Sequence, residues 1–264
     1  MNPLFRMKSS ALALAMGLLT ATALVAGPAM QLKPLKDGAA AEPGSTNAAA
    51  KVAKPKWQKL FDGKTLAGWS GLADHWKVEG GAITGVTTRN NPLKNNTFLV
   101  WTNGTVGNFE LRLKYRIFNG NSGIQYRSQL MDAEKFIVGG YQADFEAGKT
   151  YSGILYEERG RGILAERGQR TFIKDNNGQT KVQVVGKLDE SANLQAVIRH
   201  EDWNEYRIVA KDNHLMHFIN DRMTVDVVDF QGAKAAKEGI LAFQIHVGPP
   251  MIVQFRDVEL RAQP

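Results

Sequence analysis

Cysteine is absent from this chain of 264 residues. No disulfide and no lipid-attachment cysteine can form, so the folded part must take its stability from its core. Basic clustering is missing too. The formal charge is +7, but residues 1–56 carry seven bases against two acids, which leaves only +2 for everything that follows. A nucleic-acid footprint needs bases gathered on the domain itself, so no nucleic-acid partner is expected. No glycine-rich stretch has the strand–loop–helix setting of a phosphate loop, and no serine sits in a nucleophile elbow. The five histidines include no two at a convincing ligand spacing, which argues against zinc.

Long apolar runs are confined to the start. Arg6 and Lys8 precede an apolar stretch from Ala11 to Val25, and the small residues Ala26, Gly27 and Ala29 follow. The stretch is short of the roughly 20 residues of a membrane span, and the pattern is that of a secretory signal over residues 1–29. An exported protein, periplasmic or secreted, is expected; an uncleaved N-terminal anchor is the alternative. Residues 30–56 are rich in Ala, Lys, Pro and Gly and read as a disordered linker. Residues 57–264 are long enough for one domain with a substantial core.

Helical periodicity is scarce in that domain, and period-2 alternation is plentiful. Phe109, Leu111, Leu113, Tyr115 and Ile117 alternate with Glu110, Arg112, Lys114 and Arg116, which predicts a half-buried strand. About a dozen such runs, separated by turn signals such as Glu79-Gly80-Gly81 and Asn220-Asp221, predict an all-β, two-sheet antiparallel sandwich. Asn176-Asn177-Gly178 suggests a hairpin, and Ala233–Lys237 a short helical turn. In Gly239–Val247, Leu241, Phe243 and Ile245 suit the space between sheets. Ile240 and Ala242 are apolar on the other face, which ends in Gln244 and His246. Such a face leads into a binding groove.

The run Tyr141-Gln142-Ala143-Asp144-Phe145-Glu146 carries the sharpest signal. In a strand, Tyr141, Ala143 and Phe145 share one face, and Gln142, Asp144 and Glu146 line up on the other, about 7 Å apart. Lys, Thr and Ser usually fill a solvated strand face. An amide and two carboxylates beside Glu157-Glu158-Arg159-Gly160-Arg161 fit a site that handles protons or sugar hydroxyls. Within that loop Glu157 is a further acid and Arg161 a ligand for hydroxyls or an enolate; a surface Glu–Arg pair is the bland alternative. Gln125 and Arg127 alternate with Ile124 and Tyr126. Arg127 would cross the groove to a carboxylate or pair structurally with Asp144 or Glu146. His246 is the histidine best suited to proton transfer, whereas His217, between Leu215 and Ile219, fits a packed core. Trp69, Trp76, Trp101 and Trp203 mostly fit core or edge positions.

A set of motifs recurs in order: Leu60-Phe-Asp-Gly-Lys-Thr-Leu-Ala-Gly-Trp69, Trp76-Lys-Val-Glu-Gly-Gly-Ala-Ile83, Asn121-Ser-Gly-Ile-Gln-Tyr-Arg127 and Gly140-Tyr-Gln-Ala-Asp-Phe145, then Trp203-Asn-Glu-Tyr-Arg207, His217-Phe-Ile-Asn220 and Phe255-Arg-Asp-Val-Glu-Leu260. Their order and spacing resemble the 3-keto-disaccharide hydrolase domain family across nearly all of residues 57–262. The resemblance implies a jelly-roll sandwich of the concanavalin A-like lectin/glucanase type, with its site on the concave face. It also implies action on glycosides oxidised at C3. One departure is Asn220-Asp221, where Asn-Gly would be expected. Asp tolerates the left-handed conformation, so the turn is touched and not the chemistry.

A 3-keto group acidifies the C2 proton, so cleavage by elimination needs a general base, a general acid and a donor for the enolate oxygen. Asp144 and Glu146 are the first candidates for base and acid, with Glu157 and His246 beside them. Gln125, Arg127, Gln142, Arg161 and Gln244 are the candidate substrate-binding residues. An oxidised sugar or glycoside is the expected partner; no protein partner is indicated. No cofactor is required, and an oxygen-ligated divalent cation at Asp144 or Glu146 stays open. A non-catalytic carbohydrate-binding domain is the alternative, and a conventional endo-glycosidase a weaker one.

Overall fold

The structure, a computed structural model, describes residues 56–263. The expected signal and nearly all of the expected linker lie outside the described residues. The first half of the domain gives β1 (Gln58–Lys59), β2 (Trp69–Ser70), β3 (Trp76–Glu79), β4 (Ala82–Val86), β5 (Thr97–Trp101), β6 (Phe109–Phe118), β7 (Asn121–Asp132) and β8 (Ile137–Glu146). The second half gives β9 (Leu155–Glu158), β10 (Gly162–Ala165), β11 (Gln169–Asn176), β12 (Gln179–Lys187), the one-and-a-half-turn helix α1 (Ser191–Ala196), β13 (Asn204–Lys211), β14 (His214–Ile219), β15 (Arg222–Asp229), β16 (Ile240–Ile245) and β17 (Ile252–Ala262).

The strands form two sheets. A ten-stranded sheet runs β12-β11-β15-β14-β13-β6-β17-β4-β3, with β1 paired to β17; a seven-stranded sheet runs β10-β9-β8-β7-β16-β5-β2. All pairs are antiparallel except β11 with β15. The all-β sandwich is thus as the alternation predicts. In β6 the inward residues Phe109, Leu111, Leu113, Tyr115 and Ile117 are buried, while the residues between them reach solvent to varying degrees. The hairpin at Asn176-Asn177-Gly178 forms between β11 and β12. The turn at Asn220-Asp221 is left-handed at both residues, with φ of 47° and 63°. Helical character near Ala233 is one 3-10 turn at Gly232–Lys234.

The core lies between the sheets. Phe243 of β16 stacks on Phe255 of β17 at 4.0 Å and on Trp69 at 4.8 Å, and Phe145 of β8 meets Tyr115 of β6 at 4.0 Å. The Phe243–Phe255 and Phe145–Tyr115 contacts join one sheet to the other, and truncating such an aromatic typically costs about 3–5 kcal/mol. His217 is fully buried; burial drives its pKa down to about 3, so the ring is neutral and bonds the hydroxyl of Tyr126 at 2.9 Å. It is the core histidine that its apolar neighbours predict. A smaller cluster of Phe98, Val100, Val138 and Ala242, with Phe136 and Ile240, covers part of the outer face of the seven-stranded sheet. That covered patch leads up to the polar half of the same face.

Candidate active site

Residues directly opposite each other in an antiparallel ladder project to the same face. Asn121 lies opposite Glu146, Gly123 opposite Asp144, and Gln125 opposite Gln142; on the other side of β8, Tyr156 lies opposite Gln142 and Glu158 opposite Gly140. Tyr141, Ala143 and Phe145 turn inward into the core. The register therefore gathers Gln142, Asp144, Glu146, Asn121, Tyr156 and Glu158 on the outer face. With Asn96, Tyr151, Ile154, Ile163 and His246 they line a groove of about 520 Å³. Lys and Arg are absent from its lining.

Asp144 is the chemically distinctive group. It is only 6% exposed. Burial pushes its carboxyl up to about 7; bonds from Gln142 and Asn121 pull the other way, and the charges of Glu158 and Glu146 add to the rise. Its Oδ1 accepts from Gln142 Nε2, and its Oδ2 from Asn121 Nδ2 at 3.4 Å. Gln142 is itself pinned: its Oε1 accepts from Gln125 Nε2 at 2.6 Å and from Gln244 Nε2 at 3.1 Å. Ser128 Oγ donates to Gln125 Oε1 at 2.6 Å. Gly123 makes room for this arrangement, because a Cβ there would stand 2.5 Å from Gln142 Cγ.

The rim holds His246, Asn96 and Glu158. His246 Nδ1 lies 2.6 Å from the carbonyl oxygen of Val247. A carbonyl only accepts, so Nδ1 carries hydrogen and Nε2 is the nitrogen left to exchange a proton. Asn96 ties the two rims together: its Oδ1 accepts from Val247 N at 2.9 Å, and its Nδ2 donates to Glu158 Oε1 at 3.1 Å. Tyr151 and Ile163 are large side chains more than two-fifths exposed at the groove. Burial, with the charges of Glu158 and Asp144, raises Tyr156, which keeps its hydroxyl a donor. Glu146 lines the groove but is engaged as a loop anchor, with its Oε1 accepting from the backbone N–H of Thr150 and, at 2.8 Å, of Tyr151.

Five expected site residues are placed elsewhere. Arg127 sits at a β-bulge with φ of 47°, which turns its side chain away from the groove. It is 1% exposed and donates to the carbonyls of Gly107, Asp212 and Ala236 and to Asn108 Oδ1 at 2.6–3.3 Å, reaching neither Asp144 nor Glu146. Glu157 lies opposite the inward-facing Tyr141, so it points between the sheets. There Arg161 grips it through Nε at 2.6 Å and Nη2 at 2.7 Å, and grips Asp229 through Nη1 at 2.7 Å. Burial opposes the charge of Arg161, but Glu157 and Asp229 hold it above the usual range. Gln125 and Gln244 are fully buried behind Gln142 and position it without lining the groove. Trp69, Trp76 and Trp101 are core, and the ring of Trp203 packs against the guanidinium groups of Arg116 and Arg256.

Residue alternation did not single out Glu158, Asn96, Asn121, Tyr151 or Tyr156. The choice between Glu157 and Glu158 depends on the β8–β9 register, which no local pattern carries. Asn121 had a signal, since it stands two residues before Gly123 on the strand that holds Gln125. Among the described residues no three His, Asp or Glu side chains group as a metal-binding set.

The fold and the groove define an all-β, two-sheet sandwich with a buried carboxylate at the floor of a groove on its outer face. The chain belongs to the 3-keto-alpha-glucoside-1,2-lyase-like domain family, whose model matches residues 56–261. Two solved structures share the fold. One is a proposed glycosyl hydrolase from Parabacteroides distasonis ATCC 8503, 20% identical, with a TM-score of 0.50 over 79% of this chain and 94% of the other. The second, a further proposed glycosyl hydrolase of that organism, is 19% identical, with a TM-score of 0.51 over 79% of this chain and 100% of the other. No curated protein matches the chain.

Proposed function

We propose that the groove cleaves 3-keto-glycosides by elimination, with Asp144 as the base. The observation that carries this reading is a buried carboxylate held near neutrality on the floor of a groove free of Lys and Arg. A base must be ionised to act yet basic enough to take a carbon-bound proton, and a pKa near the working pH serves both needs. Asp144 takes the C2 proton, and the electron pair passes through C2–C3 to the C3 oxygen as an enolate. The enolate then collapses, C1=C2 forms and the C1–O bond breaks. His246 Nε2 protonates the departing oxygen. Water added afterwards across C1=C2 would make the net reaction a hydrolysis. Neutral donors at the groove, Asn121 and Tyr156 first among them, serve the enolate oxygen.

Glu158 supports this assignment by adding negative charge beside Asp144. Glu146 keeps the loop that presents Tyr151. The signal-like residues 1–29 support an exported location. The test is incubation of the full-length protein with a 3-keto-disaccharide and its unoxidised parent. Release of 3-keto-sugar or its unsaturated product from the first alone, lost in Asp144→Asn, is the expected result. Binding without turnover would leave a carbohydrate-binding module instead. Cleavage of the unoxidised parent would point to ordinary glycosidase chemistry.

A further inference from the structure

Two strands end side by side at the groove. The pairing of β5 with β16 stops at Thr97 opposite Ile245, so Asn96 and His246 are the next residues on the two strands. Val247 to Pro250 then form an exposed loop. Among the described residues, the one hydrogen bond that reaches Val247 from outside this loop runs from its N–H to Asn96 Oδ1, at 2.9 Å. The Val247 carbonyl in turn accepts from His246 Nδ1 at 2.6 Å. The imidazole is therefore oriented through a chain of bonds that starts at Asn96.

The other end of the same amide is engaged across the groove, where Asn96 Nδ2 donates to Glu158 Oε1 at 3.1 Å. In the sheet, β9 and β5 are separated by β8, β7 and β16. Four strand spacings come to about 19 Å along a flat sheet, so the bond requires a strongly concave outer face. The amide has one workable orientation, because a carboxylate only accepts and a backbone N–H only donates. Glu158 is also the group whose charge acts on Asp144. One neutral side chain thus touches both the neighbour of the proposed base and the loop of the proposed acid. Leucine would make neither bond, and aspartate would meet Glu158 as a like charge.

We propose that Asn96 is a positioning residue for the acid: it holds Val247 so that His246 keeps its hydrogen on Nδ1 and presents Nε2 to the leaving group. The leaving-group role rests on the catalytic reading above; the hold on His246 does not. A general acid contributes only within hydrogen-bond reach of the atom it protonates, and a misplaced one lowers kcat more than it raises KM. The need for that proton depends on the leaving group. Methoxide is strongly basic and requires it, whereas 4-nitrophenolate departs without it.

The test compares methyl and 4-nitrophenyl 3-keto-α-glucosides in the full-length protein and in His246→Ala and Asn96→Ala. Asn96→Ala should lower kcat roughly ten- to a hundredfold on the methyl glycoside and less than about threefold on the nitrophenyl one, a milder form of the pattern in His246→Ala. Equal losses on both substrates in Asn96→Ala, beside a selective loss in His246→Ala, overturn the proposal. If His246→Ala shows no selectivity, or nothing turns over, the catalytic reading has failed separately. Nitrogen-15 NMR of the imidazoles well above neutral pH then decides. His246 should carry its hydrogen on Nδ1 in the wild type and shift towards the Nε2–H form in Asn96→Ala; an unchanged tautomer overturns the hold. Should the alanine variant fail to fold, Asn96→Val, which fills the space without making either bond, takes its place with the same expected results.

Discussion

Strand β8 faces acidic groups on both of its sides, and the two sets live in opposite surroundings. Inward, Tyr141 donates to Asp229, which with Glu157 is neutralised by Arg161. Outward, Asp144 sits with Glu146 and Glu158 and meets no Lys or Arg in the groove lining. The first set is charge-matched, bidentate and nearly sealed. The second is buried without Lys or Arg and only amide-supported, so burial, with the neighbouring like charges adding to it, drives the Asp144 carboxyl towards neutrality. Acidic residues on the two sides of one strand thus serve cohesion on one face and, under the proposed function, proton transfer on the other. What separates them is the location of a guanidinium.

Substitutions can break this contrast. The largest effect is expected for Asp144→Asn, which should lower kcat on a 3-keto-disaccharide about 10²–10⁴-fold while leaving denaturant unfolding at neutral pH as stable or more so. Arg161→Ala should do the reverse. It strands two buried carboxylates and should cost about 3–5 kcal/mol in urea unfolding, while kcat per folded molecule stays within a few-fold.

The pH response sharpens the same contrast. The ordinary Asp value is near 4, and folding raises Asp144 to about 7. Between those values the native state holds a proton that the unfolded chain has lost, so Asp144 makes stability fall as pH rises through that window. The fall should be on the order of a few kcal/mol and should vanish in Asp144→Asn. Activity should move the opposite way, with kcat/KM climbing along a limb centred near pH 7. The smallest effect separates adjacent glutamates. Glu158→Gln removes a like charge and should lower that limb by roughly a few tenths of a unit, whereas Glu157→Gln should weaken the fold and leave the limb in place.

How much of this was legible in the residues varies with the range of the interaction. The faces of β6 and β8 follow from alternation alone, because a period of two is local. Asp144 and Gln142 were therefore placed on one face before any pairing was known. Arg127 was misplaced because one bulge reverses the parity of every side chain beyond it. Glu157 and Glu158 were exchanged because adjacent residues on β9 differ only in what stands opposite them on β8. The helix α1 was missed for another reason: it is six residues long, its Glu190 makes no side-chain cap bond, and its first turn holds no acid. The parallel partnership of β11 and β15 leaves no trace in either strand's own pattern, since it joins segments more than fifty residues apart.

The four-acceptor cradle of Arg127 has a consequence for how the molecule comes apart in acid. Carbonyl and amide dipoles cannot be protonated in that range, so this junction keeps its full strength while the carboxylates gripping Arg161 are discharged. Acid should thus loosen the molecule from one side. Amides of β9 and β10, tied down by Glu157, should exchange with deuterium before those around Gly107 and the Asp212 turn. Simultaneous loss of protection in both places would mean that the molecule opens as a single unit.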